Sequence, residues 1–245
     1  MLTIGILGGM GPMATADLFE KIIKNTPASI DQEHPKIIVY NNPQIPSRVD
    51  AITKGKESPL KELIASAQLL ERAGADILVM PCNTAHFWYQ DIQEAVKIKF
   101  INMIENTVEY VKNHNIDNNG KILLFATAAT VKTKMYQKAF STVGIDVLTL
   151  SEEEQKNISL GIEEAKAGRL EDNSSIKLLA DIVSKYQKMG VYSFIAGCTE
   201  IPLLFRYIRG EYCLIDPTQI LAQTVVKETM NGSPELVFYP LDKSL

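Results

Sequence analysis

Two cysteines stand in matching surroundings. One closes Ala75-Asp76-Ile77-Leu78-Val79-Met80-Pro81-Cys82, followed by Asn83-Thr84; the other closes Tyr192-Ser193-Phe194-Ile195-Ala196-Gly197-Cys198, followed by Thr199-Glu200. In each, an amphipathic helical stretch ends near a glycine (Gly74, Gly190), an apolar strand follows, and the cysteine sits at the strand's end. A thiol can give a proton, and a thiolate can take one or attack carbon. A position just before a helix start lowers a thiol's pKa, and hydroxyl or amide side chains beside it (Asn83, Thr84, Thr199) can hold a small carboxylate. Taken singly, such a cysteine is more often a small buried hydrophobe than a reactive group. Two in matched settings reverse that reading. Cys213 has no such context and reads as core.

Rival uses of cysteine fit poorly. Structural zinc wants four ligands at short paired spacings, whereas this chain has three cysteines, three histidines (His34, His86, His114) and no Cys-x-x-Cys. Cys82 and His86 share one helical face, which makes two ligands rather than a site; His86 reads equally as a capping group or a residue behind the cysteine. A Cys–His–Asn hydrolase would leave the second cysteine without a task. The turn Gly8-Gly9-Met10-Gly11-Pro12, before a helix starting near Met13, reads either as a cradle for an anion or as a tight strand–helix turn. It is neither the spaced dinucleotide fingerprint nor a P-loop. Arg48, in the turn-rich loop Asn41–Arg48 with prolines at 43 and 46, is a candidate cation for an acidic ligand. Lys166, at a helix end, is another; for both the plain alternative is a solvated surface charge.

Positioning these groups requires strands and helices in alternation. Strands are expected over 2–7, 36–40, 76–80, 100–102, 121–125, 146–150, 193–196 and 212–215, and amphipathic helices over 59–73 and 173–189. That alternation predicts parallel sheets covered by helices, an α/β fold, in which ligands bind at the carboxyl ends of the strands. Cys82 and Cys198 are 116 positions apart (198 − 82), and aligning the glycine turn at Gly8 with Ala126 gives an offset of 118 (126 − 8). Two nearly equal offsets predict two similar halves; the alternative is that strand–helix units look alike.

Composition bounds the rest. The 245 residues are 46% hydrophobic and 22% charged, which excludes disorder for the bulk of the chain. A net charge of −4 offers no basic face for nucleic acid. No run reaches the roughly 18 apolar residues of a membrane span. Met1–Leu7 runs straight into a strand pattern without a basic leader, and three cysteines do not make a disulfide framework, so a reducing cytoplasm is the expected setting.

Four motifs in order, Leu7-Gly8-Gly9-Met10-Gly11-Pro12-Met13-Ala14-Thr15, Asn42-Pro43-Gln44-Ile45-Pro46-Ser47-Arg48, Met80-Pro81-Cys82-Asn83-Thr84-Ala85-His86 and Ala196-Gly197-Cys198-Thr199-Glu200, resemble the aspartate/glutamate racemase family over nearly the whole chain. The resemblance implies a cofactor-independent enzyme and a homodimer, and the ligand spacing above offers no metal site. It implies two pseudo-symmetric Rossmann-like domains with parallel sheets, 1–103 plus 211–245 and 104–210, and an active site in the cleft between them. It implies that Cys82 and Cys198 invert an amino acid's α-carbon, one as thiolate removing the proton, the other as thiol protonating the opposite face, with Cys198 serving the L and Cys82 the D enantiomer. Two neighbouring thiols do not both ionise readily, so one thiolate and one thiol form the expected resting pair. By the same resemblance Asn83, Thr84, Thr127 and Thr199, with the backbone N–H groups of Gly9 and Met10, surround the α-carboxylate, and Arg48 and Lys166 hold the side-chain carboxylate of aspartate. The chain departs from the family in having Ala126-Thr127-Ala128 where Gly-Thr is frequent, a change that bears on the chain length accepted. Maleate isomerases, arylmalonate decarboxylases and hydantoin racemases share the fold; the decarboxylases typically keep a single catalytic cysteine. The alternative readings are a maleate isomerase-like enzyme, which could retain both, or a non-catalytic aspartate-binding protein, which needs neither.

Overall fold

The computed structural model describes residues 1–116 and 120–230. They divide into two units, Met1–Asn106 with the C-terminal helix from Thr218, and Thr107–Pro217. In the first, the order is β1 (Ile4–Gly8), α1 (Pro12–Asn25), β2 (Ile37–Asn41), α2 (Arg48–Lys54), α3 (Leu60–Arg72), β3 (Ile77–Val79), a 3₁₀ helix (Thr84–Trp88), α4 (Tyr89–Glu94) and β4 (Lys99–Phe100). Then α5 (Met103–His114) leads into the second unit: β5 (Lys121–Ala126), α6 (Ala128–Thr133), α7 (Met135–Ser141), β6 (Asp146–Thr149), α8 (Glu152–Lys166), α9 (Ile176–Lys188), β7 (Ser193–Gly197), α10 (Ile201–Phe205) and β8 (Cys213–Ile215). The closing helix is α11 (Pro217–Thr229).

Among the described residues all strand pairs are parallel, and the two four-stranded sheets have the same order, β2-β1-β3-β4 and β6-β5-β7-β8. The expected duplication is therefore a duplication of topology: β1 corresponds to β5 and β3 to β7. Side chains alternate faces along a strand. On the first sheet Ile4, Ile6, Ile77 and Val79 pack with Leu18 and Ile22 of α1 and with Leu221, Val225 and Val226 of α11, while Leu7, Leu78 and Phe100 pack with Leu63, Ala67 and Leu70 of α3. On the second, Leu123, Phe125, Phe194 and Ala196 meet Ile158 and Ile162 of α8 and Leu179, Ile182 and Val183 of α9. Burial on both faces explains why the inner strands β1, β3, β5 and β7 read as nearly unbroken apolar runs. Among the described residues no helix is long and apolar enough to cross a membrane.

Three expectations change. Residues 211–217 were assigned with the N-terminal half, yet Ser193–Ile195 of β7 pair with Cys213–Ile215, so β8 completes the second sheet and the chain returns only at α11. The physical reason is the apolar face of α11, which has its partners on α1 and β1. The remainder of that assignment, 231–245, lies outside the described residues. Arg48 is not in a loop: Ser47 caps α2 by accepting from the Asp50 N–H (3.2 Å), which makes Arg48 its first residue. Cys213, expected in the core, is only partly buried on the edge strand β8.

Candidate active site

At the carboxyl edge of the first sheet, Gly8 pairs with Asn41, so the turn after β1 lies beside the loop after β2. Gly9 has φ +100°, and a Cβ there would stand 2.3 Å from the Asn42 backbone; only glycine fits. Its N–H donates to Thr15 Oγ1 (2.9 Å), so this donor, assigned by resemblance to a ligand carboxylate, is already engaged within the turn. Met10 is buried in the same apolar cluster as Ile45, Met80 and Cys82. The Arg48 guanidinium is tied to backbone: Nη1 donates to the carbonyls of Ile45 and Pro46 (both 3.0 Å), and Nη2 points at the Met10 carbonyl (3.5 Å). Among the described residues no carboxylate pairs with it, and its buried Nε–H has no hydrogen-bond partner. With those N–H groups engaged, the Nε–H and the other Nη2 N–H are the pair left to face a planar acidic group.

Cys82 follows β3 by three residues, and its N–H donates to the Met80 carbonyl (2.9 Å). Asn83 immediately precedes the 3₁₀ helix that Thr84 begins, without a side-chain cap bond, and both are buried; α2, carrying Arg48, packs against this helix. Behind the cysteine stands His86, wholly buried between the rings of Tyr89 and Phe100. Its Nε2 accepts from the Met103 N–H (3.2 Å), so Nδ1 carries the proton and donates to the Cys82 carbonyl (2.9 Å). Burial pushes this imidazole down to about 4, against the backbone of Cys82 and Ile101, whose hydrogen bonding would favour its charged form. His86 is thus a neutral clamp on the Cys82 main chain, the role behind the cysteine that its spacing allowed.

At the carboxyl edge of the second sheet Ala126 pairs with Gly197, which places Thr127 and Cys198 side by side. Thr127 caps α6, its Oγ1 accepting from the Thr130 N–H (3.2 Å) and bonded to Thr130 Oγ1 (3.1 Å). The Cys198 thiol donates to Glu200 Oε2 (2.9 Å), and Thr199 Oγ1 donates to the same oxygen (3.0 Å). Glu200 is only 3% exposed. Burial first, and the Glu200 charge next, push the Cys198 thiol well above its ordinary range, with Lys166 pulling the other way. The lowering expected from a helix start does not prevail. The reason is local: α10 has five residues and its cap is Glu200, so few peptide dipoles reach the sulfur. Lys166 ends α8, a helix opened by a Ser151–Glu154 capping box, and α8 packs against both α6 and α10. Its Gln155 donates from Nε2 to the Ala126 carbonyl (2.9 Å), fastening the helix to the end of β5.

Each sheet edge therefore gathers its own set: Gly9, Met10, Arg48, Cys82, Asn83 and Thr84 on the first; Thr127, Cys198, Thr199 and Lys166 on the second. Sequence reading missed Glu200 and Gln155 as members. The chain matches the family model described as Asp/Glu/Hydantoin racemase over residues 7–225, and it belongs to that family of amino-acid racemases. RacX, a broad specificity amino-acid racemase of Bacillus subtilis (strain 168), is 27% identical over 228 residues, 91% of this chain and 96% of its own. The glutamate racemase of Aquifex pyrophilus is 27% identical over 206 residues, 81% of this chain and 78% of its own. The solved structure of Picrophilus torridus aspartate racemase has a TM-score of 0.80 at 29% identity and covers 94% of both chains.

Proposed function

We propose that the protein racemises an acidic amino acid, aspartate first and glutamate as well, by a two-base reaction without a cofactor. Cys82 and Cys198 act on opposite faces of one α-carbon: the thiolate of one takes the α-proton, and the thiol of the other returns a proton from the far side, leaving the two thiols with exchanged roles. The observation that carries this reading is the pair of cysteines at the carboxyl ends of topologically equivalent strands, β3 and β7, in a chain of the racemase family. The α-proton is weakly acidic, so the carboxylate must be stabilised as it gains enolate-like charge. Asn83, Thr84, Thr127 and Thr199 supply the polar groups for this. Arg48, held without a carboxylate of its own, and Lys166 take the side-chain carboxylate. The likeness to an aspartate racemase supports the order of substrates; the likeness to RacX favours, as a second reading, a wider set of amino acids.

Incubation with L-aspartate in deuterated water, followed by NMR and chiral chromatography, tests the reading. D-Aspartate with deuterium at Cα is the expected product; absence of exchange on aspartate, glutamate and a panel of neutral amino acids overturns it. All three cysteines are free thiols, which accords with a reducing cytoplasm. Assembly as a homodimer is carried over from the family resemblance, and light scattering on the purified chain decides it.

A further inference from the structure

The two-thiol reading leaves open which cysteine holds the proton at rest. We propose that Glu200 makes that assignment: it holds the proton on Cys198, which is therefore the thiol of the resting pair, with Cys82 as the thiolate. This rests on the proposed function only for its catalytic consequence; the proton assignment itself is a statement about the folded protein.

The geometry is direct. Glu200 Oε2 receives two donors, the Cys198 S–H at 2.9 Å and the Thr199 O–H at 3.0 Å, as an ionised carboxylate does. Removing the proton from Cys198 would set a thiolate against that carboxylate at hydrogen-bond distance in a buried place, with the loss of a charge-assisted bond. The other charged and titratable groups around this sulfur are few among the described residues. Lys166 of α8 favours the thiolate and Tyr136 of α7, buried and neutral, bears on it, with Asp216 acting in turn on Tyr136. The opposing cation is on an exposed side chain and screened by water, whereas Glu200 is buried and in contact. At the topologically equivalent corner the residue two places after Cys82 is Thr84, which has no charge. The duplication that makes the strand ends alike therefore stops at the residue that governs the proton. Glu200 touches the sulfur and not the substrate carbon; it is a positioning residue for the proton of Cys198.

The test is the pH dependence of alkylation of each cysteine by iodoacetamide in the full chain, followed by peptide mass spectrometry. The midpoint of such a profile reports ionisation and does not depend on how accessible the sulfur is. In the wild type the Cys82 midpoint is expected below that of Cys198. In Glu200→Gln the Cys198 midpoint is expected to fall by about one unit or more, a roughly tenfold faster alkylation at neutral pH. Glu200→Asp, which keeps the charge, is expected to retain the wild-type order. A wild-type Cys198 that ionises before Cys82 overturns the proposal, as does a Cys198 midpoint that stays or rises in a Glu200→Gln protein with a native circular dichroism spectrum. Should Glu200→Gln fail to fold, the wild-type order decides alone. If the predicted order is found but no amino acid exchanges its α-proton, the assignment stands and the racemase mechanism falls.

Discussion

The Cys82 and Cys198 corners are built on the same strand positions and finished with different chemistry. Behind Cys82 lies a neutral imidazole, His86, bonded to main chain on both sides, and beside it a cation, Arg48, fastened to three carbonyls. Behind Cys198 lies a buried carboxylate, Glu200, bonded to the sulfur itself. Four places after Cys82 is His86; four places after Cys198 is Pro202, which begins no such clamp. A duplicated sheet fixes where a side chain emerges, because strand ends and crossovers are set by topology. The groups that tune it come from short loops and are free to differ.

The strongest way to break the comparison is to remove either sulfur. Cys82→Ala and Cys198→Ala are each expected to lower racemisation by about 10³-fold or more, since acid and base are both needed; a folded variant of either kind with near-normal conversion of L- to D-aspartate contradicts the two-base scheme.

Next in size is acid instability from the Cys82 corner. The His86 imidazole titrates near 4 in the folded chain and near 6.5 when unfolded. Between those values the unfolded chain binds a proton that the folded one does not, so stability is complete above 6.5 and declines by about 3 kcal/mol as pH falls to 4. Urea midpoints across this window are expected to drop in the wild type and to drop by less in His86→Gln. Equal slopes in the two proteins would remove His86 as the source.

The cation is tested by Arg48→Ala, which is expected to raise the KM for aspartate about 10–100-fold more than that for an uncharged amino acid, the magnitude of a lost charged hydrogen bond. Equal effects on both substrates take Arg48 out of side-chain recognition. The smallest effect belongs to the second corner: Thr127→Ala removes the cap of α6 and is expected to cost about 1 kcal/mol in thermal or urea unfolding. A change near zero would mean that another group takes over the Thr130 N–H.

Much of this architecture was legible in residue order. Each expected strand is present within one or two residues, because stretches such as Ile4–Leu7 and Phe194–Ala196 carry no polar side chain and end at glycine. The offset between the halves showed the duplication. Spacing also brought out His86, four residues after Cys82. Glu200 stood in plain view two residues after Cys198 and was passed over, since a glutamate is ordinarily solvated and this one is 3% exposed. Gln155 had no local signal at all: its amide reaches Ala126 across 29 positions. Nor did the sequence show that the Gly9 N–H would be taken up by Thr15.

Periodicity, strand-end cysteines and glycine turns determined by themselves that this chain is a duplicated parallel α/β protein with a thiol at the same place in each half, because those signals are local and the backbone obeys them wherever they occur. Only the tertiary structure decided the electrostatic character of each thiol's surroundings. Burial, and the charge of a neighbour folded inward with it, outweighed the helix-start effect that residue order alone would have favoured at Cys198, since a charge in contact within a dry interior acts more strongly than a few partly aligned peptide dipoles.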